Sequence, residues 1–417
     1  VSSQAKRRPG ARGLRGMLET LRSVVAFERL ELDPVARRLR RAASVHDLRA
    51  AAARRLPGGV FDYVDGAAED ERTLAANTEA FARRTFRPRV LRDVGAVDPS
   101  TTLLGRSHPL PLVLAPTGFT RMVHPEGELA VARAAARAGL PYTLSTLSTR
   151  SLEEVAEAGS GERWFQVYVW RDRALVADLV ERARAAGYGA LVLTVDNPVL
   201  GRRERDVRRG FTLPPKLGVR TLLEGAVRPA WTWAFARSEP ITFANVRGRE
   251  VGDGTTAVVL ADYISAQFDP GVTWEDLEWL RSIWPGPLVV KGVQTLEDAR
   301  LAADAGVQAI ALSNHGGRQL DSAPAPLDLV APVSDALGDR VEILCDGGVR
   351  RGSDVVKALA LGARACMIGR AYLYGLAVGG ERGVAHVLDL LGSDVRRTMA
   401  LVGARTVADI TEDLVAG

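Results

Sequence analysis

The segment from Pro287-Leu-Val-Val-Lys-Gly-Val293 through Leu296–Ala305 to Ala309-Ile-Ala-Leu-Ser313 decides the fold. Two short apolar, β-branched runs flank a helical stretch, so the runs read as neighbouring parallel strands buried on both faces. Six more runs of the same kind occur, at Leu110–Pro116, Tyr142–Ser145, Trp164–Val169, Ala190–Val195, Glu342–Cys345 and Ala365–Ile368. Helical stretches follow most of them, including Gly127–Ala138, Asp172–Ala186 and Gly352–Leu361.

Eight strands separated by helices close a (β/α)8 barrel. A doubly wound open sheet is the competing arrangement. It would need a Gly-x-Gly-x-x-Gly turn after the first strand, and none is there. The fold class is α/β, a (β/α)8 TIM barrel with an N-terminal helical segment and a long insertion after strand four. Helical patterns at His46–Arg55 and Glu69–Phe81, split by a Leu56-Pro-Gly-Gly turn, precede the first strand. The expected organisation is a basic arm over 1–43 and a barrel domain over 44–417, with 201–270 as the extended insertion.

Composition narrows the function classes. The 417 residues are 47% hydrophobic and 25% charged, with two cysteines. Two cysteines build neither a disulfide framework nor a zinc-thiolate cluster, which suits a reducing compartment. The longest run without Asp, Glu, Lys or Arg, Ser107–Thr120, has 14 residues. A membrane span needs about 20. No secretory signal is visible, and a cytoplasmic protein is expected. The net charge of +5 is uneven: residues 1–41 hold eleven basic and four acidic side chains, leaving the other 376 residues at −2. That distribution argues against nucleic acid as a partner. Arg15, Arg22 and Arg29 beside Leu14, Met17, Leu18, Leu21 and Val25 read as a basic amphipathic helix. Such a helix lies on an anionic membrane surface, or the segment is an arm that packs on a neighbouring subunit or stays mobile. In the insertion, Trp231, Trp233, Phe235 and Phe243 among Arg228, Arg237 and Arg247 fit a membrane-interface patch or a helix over the barrel mouth. The helix over the mouth is favoured.

Active sites of such barrels lie at the C-terminal strand ends. Those ends supply Ala115-Pro-Thr-Gly118, Ser145, Gln166 with Tyr168, Thr194-Val-Asp196 with Arg203, and Lys291. The last three supply Ser313 to Asp321, Asp346-Gly-Gly-Val-Arg350, and Gly369-Arg370. Of the five histidines, His315 alone follows a buried strand and precedes two glycines, a place for a general base. Asp196 is the carboxylate to orient it. Arg318 offers a fork for a substrate carboxylate, reinforced by Arg203. Lys291 would face a developing anion. Gly347, Gly348 and Gly369 with Arg350 and Arg370 read as a phosphate site. No metal-ligand cluster is expected.

Ser313-Asn-His-Gly-Gly-Arg-Gln-Leu-Asp321, with Phe61-Asp-Tyr63, His124-Pro-Glu-Gly127, Phe165-Gln-Val-Tyr168 and Gly201-Arg-Arg203, resembles the FMN-dependent L-2-hydroxy acid dehydrogenases and oxidases. The likeness runs from about Ser44 to Thr411. It implies that Tyr63, Arg203 and Arg318 hold the substrate carboxylate and Tyr168 the hydroxyl. It further implies that His315, supported by Asp196, takes a proton and that Lys291 sits beside the flavin ring. Pro116, Thr117, Gly118, Ser145, Gln166, Thr194 and Ser313 should contact the ring or ribityl chain. Asp346, Gly347, Gly348, Arg350, Gly369 and Arg370 should hold ribityl and phosphate. Within the family, Arg228-Pro-Ala-Trp-Thr-Trp233 and Gly369-Arg-Ala-Tyr-Leu-Tyr-Gly375 are similar to bacterial L-lactate dehydrogenases of the quinone type. The expected reaction is oxidation of L-lactate to the 2-oxo acid with quinone as acceptor; an oxygen-using oxidase of a mandelate-like acid is the alternative. A homotetramer or larger assembly, peripheral on the inner face of the cell membrane, is also expected from the resemblance.

Overall fold

A computed structural model describes Leu21 and residues 31–209, 219–246 and 266–417. Eight strands form one closed parallel barrel: β1 Leu112–Leu114, β2 Tyr142–Ser145, β3 Arg163–Val167, β4 Ala190–Thr194, β5 Leu288–Val293, β6 Ala309–Ser313, β7 Glu342–Asp346 and β8 Ala365–Ile368. The sheet closes where β8 pairs with β1. The strands are buried along nearly their whole length, which explains their continuous apolar reading.

Inward positions recur every second residue along a strand. Val113, Trp164, Val192, Val289, Ala311 and Leu344 belong to a buried cluster separate from the outer core, completed mainly by alanines. The large Trp164 against small alanines fills the tapering interior. Leu103, from a short hairpin of Thr101–Leu103 and Arg106–His108, joins that cluster. The Leu104 amide donates to Glu342 Oε2 at the start of β7, so the hairpin covers the N-terminal end. Two residues further along the strands the chemistry changes: Trp164 leads to Gln166, Val192 to Thr194, Val289 to Lys291, Ala311 to Ser313 and Leu344 to Asp346. The barrel is thus apolar through its middle and polar at its C-terminal mouth.

Ahead of the barrel lie α1 Pro34–Arg40, α2 Val45–Arg55, α3 Gly58–Asp65 and α4 Arg72–Arg83. The helix expected from Glu69 begins only at Arg72. Glu69 and Glu71 have φ of 47° and 61°, a left-handed turn that no helix can include. That turn is fixed by Ala68 N–H donating to Gly317 O and Glu69 N–H to Arg202 O.

Among the described residues, seven helices cover the barrel wall or its ends: α5 Gly127–Arg137, α6 Leu152–Glu157, α7 Arg173–Ala185, α11 Trp274–Ile283, α12 Leu296–Asp304, α13 Pro326–Leu337 and α14 Gly352–Ala360, and α15 Arg370–Val402 follows the last strand of the barrel. Helix α15 is interrupted at Gly379 and Gly380, where φ of 59° at Gly380 breaks the helical path. The insertion holds α8 Glu204–Arg209, α9 Val219–Ala226 and α10 Pro229–Ala236. It packs over the first two βα loops. Trp231 Nε1 donates to Met122 O at 2.9 Å, Arg121 donates to Pro240 O at 3.3 Å, and Phe243 meets Phe119 edge-on at 4.7 Å. Trp233 on the same helix remains 62% exposed, its ring covered by the Arg237 guanidinium at 4.0 Å. Apart from Leu21, the amphipathic helix expected over Leu14–Val25 lies outside the described residues, as does Arg247. Among the described residues no helix is long and apolar enough to cross a membrane.

Candidate active site

A cavity of about 550 Å³ opens at the C-terminal mouth. Its walls include Tyr63, Tyr168, Arg203, His315 and Arg318 at one end. Pro116, Thr117, Gly118, Ser145, Thr194 and Lys291 line the middle. Asp346, Gly347, Gly348, Arg350, Gly369 and Arg370 complete the lining. Asp196, Gln166 and Ser313, expected at the same site, do not line it; each stands behind a residue that does.

Asp196 is fully buried, and its Oδ1 lies 2.9 Å from His315 Nδ1. Gly292 makes room for it: at φ 110° a Cβ there would fall 2.7 Å from the Asp196 Cβ. Burial raises the carboxyl pKa, but His315 and Lys291 outweigh it, so Asp196 stays below its ordinary value and ionised. An ionised carboxylate only accepts. His315 Nδ1 therefore carries the hydrogen, and Nε2 is left as the basic nitrogen. His315 itself has φ 57°, a strained backbone for a non-glycine residue.

Ser313 holds the lower layer together. Its hydroxyl donates to Asp346 Oδ2 at 2.8 Å and accepts from Lys291 Nζ at 2.9 Å and from His315 N at 3.0 Å. Lys291 also pairs with Asp346 Oδ2 at 2.7 Å. Burial opposes its charge, yet Asp346 and Asp196 raise its pKa above the ordinary value, so a buried cation is secured there.

At the opposite end the balance is reversed. Arg318 donates through Nη1 to the carbonyls of Tyr63 at 2.6 Å and Gly66 at 3.1 Å, and its guanidinium stands 5.0 Å over the Tyr63 ring. Burial and the neighbouring Arg203 press its pKa down to about 9. A guanidinium keeps its proton in proteins, so Arg318 is a buried cation with a like charge beside it, an arrangement that a bound anion would relieve. Asp206, which the sequence did not single out, also lines this end. Its Oδ2 is 3.4 Å from Arg203 Nε, and its Oδ1 is buried without a partner. Its place three residues after Arg203, in the first turn of the helix that begins at Glu204, was the available signal.

The putdown of charge at the far end comes from backbone as well as side chains. The Arg370 guanidinium donates to the carbonyls of Val64, Gly66 and Gly316, fixing the loops around the cavity. The amide end of α15, with Gly369 as its N-cap, therefore faces the cavity beside the turn Gly347-Gly348. A helix N-terminus with open glycine backbone suits a phosphate. A Cβ at Gly369 would meet no atom closer than 3.9 Å, so the space beside it is open. Gly348 has a second requirement: a Cβ there would lie 2.1 Å from the Asn77 carbonyl of α4.

Besides the carboxylate oxygens Asp206 Oδ1 and Asp196 Oδ2, the buried polar atoms without protein partners at the mouth include Gln166 Nε2 and Thr194 Oγ1. Gln166 Oε1 accepts from Ser145 Oγ at 3.1 Å and Thr146 N at 3.3 Å, which fixes the amide with its donor unmet. Unmet donors in the middle, a buried cation and a phosphate-type cradle match the polar ring, anionic reduced form and phosphate of FMN.

The sequence matches the family model described as FMN-dependent dehydrogenase over residues 52–417. It is 47% identical over 392 residues to a putative L-lactate dehydrogenase of Mycobacterium tuberculosis, covering 94% of this chain and 93% of the relative. It is also 47% identical over 354 residues to an L-lactate oxidase of a Nostoc strain, covering 84% and 91%. Among solved structures, a monotopic membrane protein, (S)-mandelate dehydrogenase, superposes with a TM-score of 0.87 at 40% identity, covering 90% of this chain and 99% of that one. The chain belongs to the FMN-dependent dehydrogenase family and is an oxidoreductase acting on 2-hydroxy acids.

Proposed function

We propose that the protein oxidises L-lactate, or a 2-hydroxy acid of similar size, to the 2-oxo acid and passes the electrons to a quinone at a membrane surface. One observation carries the reading: the His315–Asp196 pair and the Arg203–Arg318 pair open onto the same end of one cavity. A carboxylate held by the two arginines beside the Tyr63 ring leaves the adjacent carbinol within reach of His315. Binding thereby supplies the geometry. Nε2 of His315 takes the hydroxyl proton, and Asp196 stabilises the resulting imidazolium. Tyr168, buried against Phe268 at 5.2 Å, donates to the substrate oxygen. Burial and the Asp196 charge raise its pKa, so it remains a neutral donor. FMN, when bound, supplies the two-electron acceptor. Lys291, Ser145, Thr194 and the 115–118 turn would hold its ring, and Asp346–Arg350 with Gly369 and Arg370 its ribityl phosphate.

The acceptor and the membrane contact rest on the insertion. Leu223, Val227 and Trp233 are each more than 60% exposed beside Arg228 and Arg237. Apolar and aromatic residues interleaved with arginines suit an anionic membrane interface, where quinone is found. Leu147 on the cavity wall favours a larger, mandelate-like side chain; the second reading pairs such an acid with oxygen as acceptor. Purified protein should be yellow, and L-lactate added without oxygen should bleach the flavin band faster than mandelate does. Turnover with a soluble quinone should exceed turnover with oxygen. Preference for mandelate and oxygen would establish the second reading instead.

A further inference from the structure

With FMN in this cavity, we propose that Tyr372 is a positioning residue: it fixes the Thr117 hydroxyl as a hydrogen-bond acceptor toward the flavin and so favours the reduced cofactor. Tyr372 is fully buried in the first turn of α15. Its hydroxyl stands 2.8 Å from Ala115 O and 2.7 Å from Thr117 Oγ1. The phenol has one proton, and a carbonyl can only accept. The phenol therefore donates to Ala115 O, and Thr117 must donate to the phenol oxygen. The reverse assignment would leave two lone-pair oxygens 2.8 Å apart with no proton between them. The Thr120 hydroxyl, 3.3 Å from Thr117 Oγ1, has the Thr117 carbonyl as its own acceptor at 3.3 Å. Thr117 has thus spent its only hydroxyl proton, and toward the cavity that it lines it presents lone pairs.

That polarity bears on the redox equilibrium. Oxidation of the hydroxy acid releases two electrons and two protons. One proton would go to His315, and FMN, when bound, would take up the two electrons and the other proton, gaining an N–H donor where it had an acceptor. A wall oxygen restricted to accepting stabilises that new N–H and repels the lone pair present before reduction. Tyr372 sits on the helix whose first amides face the phosphate end, so one element sets both ends of the cofactor site.

The test is a redox titration of bound FMN in the parent, Tyr372→Phe, Thr117→Val and the double variant. Tyr372→Phe keeps the ring and frees the Thr117 proton to turn toward the cavity. At a fixed potential the reduced-to-oxidised ratio should fall about tenfold, the scale of one hydrogen bond. In the Thr117→Val background the same change should shift nothing, because the group it acts through is gone. Thr117→Ser retains the hydroxyl, and there the shift should persist. An unchanged ratio in Tyr372→Phe, or an equal shift in both backgrounds, overturns the proposal and makes Tyr372 a packing residue. A parent protein without FMN would overturn the functional reading as well, which an absorption spectrum reveals before any titration.

Discussion

His315 and Asp196 are separated by 119 residues in sequence and by 2.9 Å in space. The aspartate side chain has no exposed surface and the histidine lies at the cavity, so the pair has a buried anchor and a reactive face. Replacing His315 with Ala should leave FMN bound and slow anaerobic flavin reduction by roughly 10²–10⁴-fold, the usual worth of a positioned base. Asp196→Asn should also slow it, because Asn lacks the charge that holds the Nδ1 proton and stabilises the imidazolium. Stopped-flow bleaching reads both. Reduction of His315→Ala at the parent rate would remove His315 from the role of base.

Arg318 does two jobs with one guanidinium, holding the Tyr63 and Gly66 carbonyls while facing the cavity. Lysine would keep the charge and lose the fork. Arg318→Lys should raise KM by roughly 30–100-fold, the loss of a charge-assisted bond, and should lower the thermal midpoint because two carbonyls lose a donor. Steady-state kinetics together with a melting curve check both halves. An unchanged KM would mean that Arg203 alone carries the carboxylate.

Asp206 places a negative charge where a substrate carboxylate must come, beside Arg203. Burial raises its pKa more than the nearby Arg203 and Arg318 lower it, with Asp62 and Arg205 also facing it. Asn at this position keeps an oxygen for Arg203 Nε and removes the charge. KM for the hydroxy acid should therefore fall several-fold in Asp206→Asn, and by more at low ionic strength, where repulsion is less screened. If KM rises instead, Asp206 acts chiefly to hold Arg203 in place.

The barrel was legible because strands buried on both faces read as plain apolar runs, and the mouth because polar residues interrupt those runs at one end. Lys291 and Asp346 are apparent on that basis alone. Ser313 shows the limit. Sequence placed it on the wall, but the chain turns into the left-handed region at His315, and the Ser313 hydroxyl is consumed by Lys291, Asp346 and the His315 amide. Asp206 was hidden in the arginine-rich run Gly201–Gly210, where it and Glu204 resemble the acidic residues of a solvated helix face. Tyr372 falls on a helix, and no pattern of apolar spacing shows that its hydroxyl reaches Thr117 at the end of the neighbouring strand β1.

Asp65 links the site to stability. It is buried at the end of α3, the helix that carries Tyr63, and accepts from Arg49 Nε at 2.5 Å, Arg205 Nη1 at 3.0 Å and the Tyr374 hydroxyl at 2.8 Å. Burial raises its pKa, but Arg49, Tyr374 and Arg205 together bring it below the ordinary carboxylate value. A folded-state pKa below the unfolded one means that the carboxylate stabilises the fold above about pH 4 and loses that contribution as pH falls through the folded value. Asp65→Asn should therefore cost about 3 kcal/mol at pH 7. That is the low end for breaking a buried pair, since Arg49 and Arg205 are partly solvated. The gap between variant and parent should then narrow as the pH is lowered below about 4. Urea unfolding across that range measures it. A gap that stays constant with pH would show that packing around Asp65, not its charge, holds the Tyr63 helix in place.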